Sequence, residues 1–95
     1  MYYVYVLKST KHNFIYVGTT EDVQRRLGQH NGGFVQSTRF HTPLRLVYYE
    51  AFTDRRDALD REQELKHHGS VIGHLKRRLK YSLQSVEHAP VVEED

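Results

Sequence analysis

Three short segments of the chain are dense in hydrophobic residues of the kinds found in strands, and polar residues separate the first two. Residues 2–7 and 14–17 are rich in tyrosine, valine and isoleucine, side chains that suit a pleated surface. A third segment of this kind, residues 44–50, follows Pro43. The polar stretch between the first two segments is short enough for a hairpin loop, so we expect those strands to pair antiparallel.

Three further segments carry the spacing of helices. The first can be capped by Thr19 or Thr20 and should end near residues 31–33, where two glycines stop a helix. A second starts at Asp54, and a third, basic helix covers about residues 71–81. The predicted order is ββαβαα. It corresponds to an α/β (α+β) fold with a small three-stranded antiparallel sheet flanked by about three helices.

Length and charge indicate one small domain followed by a different C-terminal segment. Ninety-five residues suffice for one core. Periodicity is lost beyond Gln84 and the chain end is acidic, so we assign residues 1–82 to the domain and residues 83–95 to an acidic, disordered tail. Residues 1–80 hold all 14 basic side chains and eight acidic ones, a net charge of +6. This positive charge favours a polyanionic partner.

Composition excludes several kinds of function. The chain has no cysteine, which rules out disulfides, a thiolate nucleophile and a cysteine zinc site. No apolar run reaches the roughly 18–20 residues needed to cross a bilayer, and no secretory signal pattern follows Met1. We therefore expect a cytoplasmic protein without a membrane partner. Nucleotide-binding fingerprints are absent as well, and no small-molecule cofactor is expected.

Helical spacing places two polar residues of the first helix beside its apolar stripe. Val23 and Leu27 define that stripe, and Arg26 and His30 fall on its edge, whereas Arg25 points to the opposite side. A guanidinium at the edge of a core either pairs with a carboxylate or holds an anion. The spacing leaves both alternatives open.

The second helix carries a carboxylate inside its apolar stripe. Glu62 projects between Leu59 and the pair Ala58 and Leu65. A carboxylate there is costly unless it is paired, protonated or bound to a cation. Lys66, one turn later, offers a simple ion pair. Glu62 is nevertheless the strongest candidate for chemistry in this sequence.

The tyrosines and one glycine are the remaining candidates for a functional role in this sequence. The chain has seven tyrosines, more than its small core needs. Most of these rings should pack in the core, but a hydroxyl beside a phosphate or a metal-bound water can donate or relay a proton. Gly18, at the end of the second strand, can mark a close approach of another group to the backbone.

The residues at these positions, in their order along the chain, resemble the motifs of the GIY-YIG nuclease superfamily. The similarity is closer to its short stand-alone bacterial members. The similarity extends over about residues 2–80 and rests on five elements, which are Tyr-Val-Tyr at residues 3–5, Tyr-Val-Gly at residues 16–18, Arg26, His30 and the helical Glu62. One element departs from the family pattern, since Tyr3 stands where the first motif has glycine.

The resemblance implies a small α/β fold and metal-dependent hydrolysis of phosphodiester bonds. Glu62 matches the family's metal-ligating carboxylate, which would hold one Mg²⁺ or Mn²⁺ ion. Arg26 matches the catalytic arginine, Tyr5 and Tyr16 match the two motif tyrosines, and His30 matches an auxiliary position. The tyrosines and the histidine are alternative candidates for orienting or deprotonating the attacking water.

A nucleic acid, DNA in preference to RNA, is the expected partner. With no separate targeting domain, cutting should be guided by nucleic-acid structure or be nonspecific. The side chains expected to contact nucleic acid are basic: Arg25, Lys66, Lys76, Arg77, Arg78 and Lys80. Two alternatives remain. One is a nucleic-acid-binding module with weak or no catalysis. The other is a structural or interaction domain in which Glu62, Lys66 and Arg26 form a buried ionic network.

Overall fold

The computed structural model describes residues 1–87, which form an α+β domain in the predicted order, with one additional helix. This confirms the fold class. The elements are the strands β1 (Tyr2–Ser9), β2 (Ile15–Thr20) and β3 (Leu44–Phe52), the helices α1 (Val23–Asn31), α2 (Arg55–His67), α3 (Gly69–Arg78) and α4 (Lys80–Glu87), and a 3₁₀ helix (Arg39–His41) before β3.

The sheet has the strand order β2-β1-β3, with both pairs antiparallel and β1 in the centre. Tyr5 on β1 lies opposite Gly18 on β2. Lys8 and Ser9, expected in the hairpin loop, instead belong to β1 and are buried. The Lys8 ammonium donates to the carbonyls of Ser9 and His12 at 3.1 and 2.9 Å, which satisfies its charge without water.

Alternation along β1 divides the core into two layers. Val4 and Val6 point to one face, where they pack with the helices α2, α3 and α4. Tyr5 and Leu7 point to the other face, where they pack with α1 and the start of β3. The helices therefore cover both faces of the sheet, and edge strand β2 lies between the two layers.

Asp22, rather than the expected Thr19 or Thr20, caps α1, and Asp54 caps α2. The Asp22 carboxylate accepts a hydrogen bond at 3.1 Å from the backbone N–H three residues later. Asp54 accepts one at 2.8 Å from the N–H two residues later. Thr20 cannot cap α1, because β2 continues to this residue and pairs it with Tyr3. Negative side chains also suit the positive end of the helix dipole.

The additional helix lies partly in the segment expected to be a disordered tail. The third predicted helix is interrupted at Leu79, and α4 then continues to Glu87. Leu79, Leu83 and Val86 share one face at helical spacing and pack into the core. That packing orders residues 83–87, whereas residues 88–95 of the expected tail lie outside the described residues. No helix within residues 1–87 has the length and apolar character of a membrane span.

Candidate active site

Tyr5 lies at the centre of the site, with its hydroxyl directly above the backbone of Gly18. Tyr5 is only 2% exposed. A Cβ at residue 18 would lie 2.6 Å from the Tyr5 hydroxyl oxygen and 2.9 Å from the Tyr16 ring, closer than real side chains tolerate. The close approach to the backbone that the sequence suggested at Gly18 is therefore present. The missing side chain leaves room for the hydroxyl end of Tyr5.

His30, in the last turn of α1, joins Tyr5 to the loop before β3. Its ring is fully buried, with Nε2 2.8 Å from the Tyr5 hydroxyl and Nδ1 2.7 Å from the Thr38 hydroxyl. Thr38 donates its own proton to the carbonyl of Val35, at 3.5 Å, and so accepts one from Nδ1. This network assigns the proton of neutral His30 to Nδ1 and leaves Nε2 to accept the Tyr5 O–H.

Burial keeps both members of this pair uncharged near neutral pH. It raises the pKa of Tyr5 to about 12, although the nearby Arg26 guanidinium acts in the opposite direction. Burial also lowers the pKa of His30 to about 4, and the positive charge of Arg26 adds to this shift. Tyr5 is therefore a protonated donor and His30 an unprotonated acceptor.

Tyr16 connects this buried pair to the second helix. Its ring centroid lies 4.9 Å from that of His30 and 6.2 Å from that of Tyr5. The Lys66 ammonium lies 5.7 Å from the centroid of the same ring, in cation–π geometry. Tyr16 on edge strand β2 thus contacts groups from both layers of the core.

Glu62 reaches the site from α2 with a carboxylate that is only 13% exposed. The ion pair suggested by the sequence is present, with the Lys66 ammonium 3.6 Å from Oε2. This distance exceeds the roughly 2.7–2.9 Å of a strong charge-assisted hydrogen bond. Burial is the main cause of the raised pKa of Tyr5, and the negative charge of Glu62 adds a small contribution in the same direction.

Arg26 is partly buried on α1, and its guanidinium donates to the Gln29 side-chain oxygen at 2.9 Å. None of the described carboxylates lies within ion-pair distance of Arg26. The buried ionic network considered above therefore reduces to the single pair of Glu62 and Lys66. A guanidinium has five N–H donors, so Arg26 retains donors for an anion near Tyr5.

The basic residues expected to contact nucleic acid do not share one face. Arg25 is exposed on α1. Lys66 and Lys76 line a groove beside Tyr16. The other three lie away from that groove: Arg77 contacts His74, Arg78 lines a separate groove with Arg61, and Lys80 lies over the Tyr81 ring.

Two polar residues that sequence reasoning missed hold the site in place. Thr38 is fully buried against His30, but it lies in an irregular loop where no periodicity distinguishes it from its neighbours. Asn31 donates to the carbonyl of Leu44 at 2.9 Å and accepts from its N–H at 2.7 Å. The sequence marks Asn31 as a helix end and as the last residue of a family pattern over residues 25–31, and the two bonds show that it attaches α1 to β3.

The donor set suits a divalent ion only if the substrate completes its coordination. The described residues contain no group of three histidine, aspartate or glutamate side chains that could enclose a metal. Glu62 is the shielded carboxylate near Tyr5. Mg²⁺ commonly binds one or two carboxylates together with water and substrate phosphates, and one such carboxylate fits that pattern.

Comparisons with known proteins agree with this geometry. The model of the GIY-YIG catalytic domain matches residues 1–71. A UPF0213 protein of Haloquadratum walsbyi is 42% identical over 66 residues, which are 68% of this chain and 73% of that protein. One from Lacticaseibacillus paracasei is 43% identical over 67 residues, 70% of this chain and 74% of that protein.

A solved structure shows the same similarity across nearly the whole chain. The solution NMR structure of a UPF0213 protein from Bacillus halodurans superposes with a TM-score of 0.53 and 30% sequence identity, covering 98% of this chain and 100% of that one. The resemblance inferred from the sequence motifs is therefore confirmed, and the chain belongs to the GIY-YIG family, together with these UPF0213 proteins.

Proposed function

We propose that the protein is a metal-dependent endonuclease that hydrolyses phosphodiester bonds in nucleic acid, with DNA preferred to RNA. One observation carries the proposal: a partly buried Arg26, which pairs with none of the described carboxylates, lies near the buried Tyr5–His30 pair, and the charge of a shielded Glu62 acts on the same tyrosine. The family relationship supports this function. Cutting is guided by nucleic-acid structure or is nonspecific.

Arg26 binds the phosphate in this proposal. Its donors that do not contact Gln29 can bond the non-bridging oxygens, where negative charge grows as water attacks. The low-dielectric surroundings of Arg26 strengthen that interaction relative to water. Tyr16 packs beside the pair and helps to exclude solvent.

Tyr5 orients the attacking water. Its proton is donated to His30 Nε2, so its oxygen lone pairs are available to accept a hydrogen bond from that water. With a pKa of about 12, Tyr5 stays protonated between turnovers. His30, with a pKa of about 4, is too weak a base to keep a proton near neutral pH. It therefore holds the Tyr5 hydroxyl in orientation, and the proton of the attacking water leaves to solvent.

Glu62 would hold the Mg²⁺ or Mn²⁺ ion through its shielded carboxylate. When bound, the ion supplies positive charge for the phosphate and the leaving oxygen. Lys66 already lies 3.6 Å from Glu62 and can move aside, since its side chain is 35% exposed.

The same ion pair favours a second candidate function, a nucleic-acid-binding domain with weak or no catalysis. If Lys66 stays on Glu62, the carboxylate is not available to a metal ion. The protein would then bind nucleic acid with strong salt dependence and without metal-dependent cleavage.

A cleavage assay with two neighbouring arginines separates these functions. We expect the wild-type protein to cut a labelled oligonucleotide with Mg²⁺ or Mn²⁺ and not with EDTA. Arg26→Ala should lower the single-turnover rate by about 10²–10³-fold. Arg25→Ala removes the same charge from the exposed side of α1 and should weaken binding by less than about tenfold while sparing the rate at saturation. Equal rates for the two variants would contradict the role of Arg26, and binding without cleavage by the wild type would establish the second candidate.

A further inference from the structure

A groove with two lysines opens beside the candidate active site, between β2 and the helices α2 and α3. Its volume is about 390 Å³, within the roughly 300–1,000 Å³ typical of ligand sites. We call it the lysine groove, and its main lining residues are Ile15, Tyr16, Leu65, Lys66, Ile72 and Lys76.

Unbalanced positive charge distinguishes the lysine groove from the other grooves around the site. Lys66 and Lys76 are its charged lining residues, and no described carboxylate lines it. Lys66 lies 3.6 Å from Glu62, a longer contact than a strong charge-assisted hydrogen bond, and Lys76 adds a second positive charge. The groove beside Arg26 has two acidic and two basic lining residues, so its formal charges cancel. The groove lined by Arg61 and Arg78 does not include Tyr16 in its lining, and its Arg61 is held by Glu50 at 2.9 Å.

The wall of the lysine groove is apolar and is shared with the active site. Ile15, Leu65 and Ile72 supply hydrocarbon. Tyr16 forms the boundary, since its ring lines the groove and also lies 4.9 Å from His30. A flat, apolar face with an aromatic ring suits a nucleobase, and the two ammonium groups suit its phosphate.

We propose that the lysine groove binds one unpaired nucleotide of the strand that is cut, next to the cleaved bond. The phosphate contacts Lys66 and Lys76, and the base packs on the apolar wall. A base within a duplex is paired at its edge and stacked on both faces, so it cannot enter such a groove. The substrate class is therefore nucleic acid with an unpaired nucleotide beside the cut. The position next to the cleaved bond rests on the proposed nuclease function.

Binding measured in EDTA tests the groove separately from catalysis. We compare a labelled single-stranded oligodeoxynucleotide with a blunt duplex of the same sequence by fluorescence anisotropy. The wild type should bind the single strand more tightly. Lys76→Ala should weaken that binding by about tenfold and reduce the slope of log affinity against log salt by about one.

Arg45→Ala is the matched control, because Arg45 is exposed on β3, at the opposite edge of the sheet. It removes one positive charge and should change affinity by less than about twofold, since distant charges are screened. Equal binding of the duplex and the single strand, or equal losses for the two variants, would overturn the groove assignment. A protein that prefers the single strand through Lys76 but never cleaves would retain the groove and lose the nuclease function.

Discussion

The two faces of the sheet differ in what they bury. On the face covered by α2, α3 and α4, the buried cluster is hydrocarbon, with Val4, Val6 and Leu65 each at most 2% exposed. On the face covered by α1, the core contains a hydrogen-bonded chain of polar groups, which runs from Tyr5 through His30 to Thr38. The apolar face is a packed hydrocarbon core, while the other face is a core with a hydrogen-bonded chain of polar side chains inside it.

This difference indicates that the apolar face contributes most of the stability, whereas the α1 face carries the polar groups used in the proposed reaction. Burial of hydrocarbon contributes roughly 25 cal/mol per Å², and a buried polar group adds little net stability even when its hydrogen bonds are complete. The α1 face thus gives up part of its stabilisation to hold neutral Tyr5 and His30 in place. Glu62 belongs to a helix of the apolar layer, and its partner Lys66 lies over the ring of Tyr16 on edge strand β2.

The largest expected effect on stability is a pH dependence of the unfolding free energy, which comes from His30 on the α1 face of the sheet. His30 has a folded-state pKa of about 4 against about 6.5 when unfolded. Its contribution to stability is complete above about pH 6.5 and is lost as the pH falls towards 4, because the unfolded state takes up the proton first. The loss should reach about 3 kcal/mol, measured by urea unfolding.

A histidine on the surface provides the control for this pH effect. We expect His30→Gln to flatten the decline of unfolding free energy with falling pH, whereas His67→Gln, at an exposed position on α2, should leave it unchanged. Parallel pH profiles for the wild type and His30→Gln would contradict the assignment of the decline to His30.

A smaller expected effect concerns the close approach of Tyr5 and Gly18. Gly18→Ala puts a methyl group 2.6 Å from the Tyr5 hydroxyl oxygen, so the ring must shift, at a cost of about 1–3 kcal/mol. Gly73→Ala on α3 meets no atom of the described residues within 4 Å and should stabilise the protein by up to about 1 kcal/mol. Thermal unfolding would show whether the two variants change stability in opposite directions, and a shared direction would contradict the argument.

The smallest expected effect is the loss of one hydrogen bond to His30. Thr38→Val preserves the shape of the side chain but removes the acceptor for Nδ1–H, which should cost about 1 kcal/mol. Nitrogen NMR should show the His30 proton on Nδ1 in the wild type and partly on Nε2 in the variant. Thr38→Ser should restore the wild-type signals, and an unchanged tautomer in Thr38→Val would refute the role of Thr38.

Helical and strand periodicity was sufficient to predict much of this fold. The aromatic and β-branched residues of β1 indicated a strand, and the spacing on the first two helices singled out Arg26, His30 and Glu62 as residues at or within the apolar stripe. These positions follow from local geometry, which fixes the face on which a side chain lies. Residue spacing within one element also correctly suggested the ion pair of Glu62 with Lys66.

Residue spacing within a helix or strand could not predict the contacts between different elements. Thr38 is important because the loop folds onto His30, and α4 packs on the domain through Leu83 and the buried Val86. Neither partner is visible from local sequence. The basic cluster on α3 was likewise treated as one surface, but a rotation of about 100° per residue sends Lys76 towards Tyr16 and Arg78 elsewhere.

The central claim is tested most directly by single-turnover cleavage with Glu62→Gln and Glu64→Gln in parallel. Both changes remove one carboxylate charge from α2, but Glu62 is shielded at the site and the Glu64 side chain is 55% exposed. With Mg²⁺, Glu62→Gln should lose about 10²–10³-fold in rate and change unfolding free energy by less than about 1 kcal/mol, whereas Glu64→Gln should match the wild type. Wild-type cleavage by Glu62→Gln, or a stability loss of about 3–5 kcal/mol as for a broken buried ion pair, would contradict a reaction centre at Glu62.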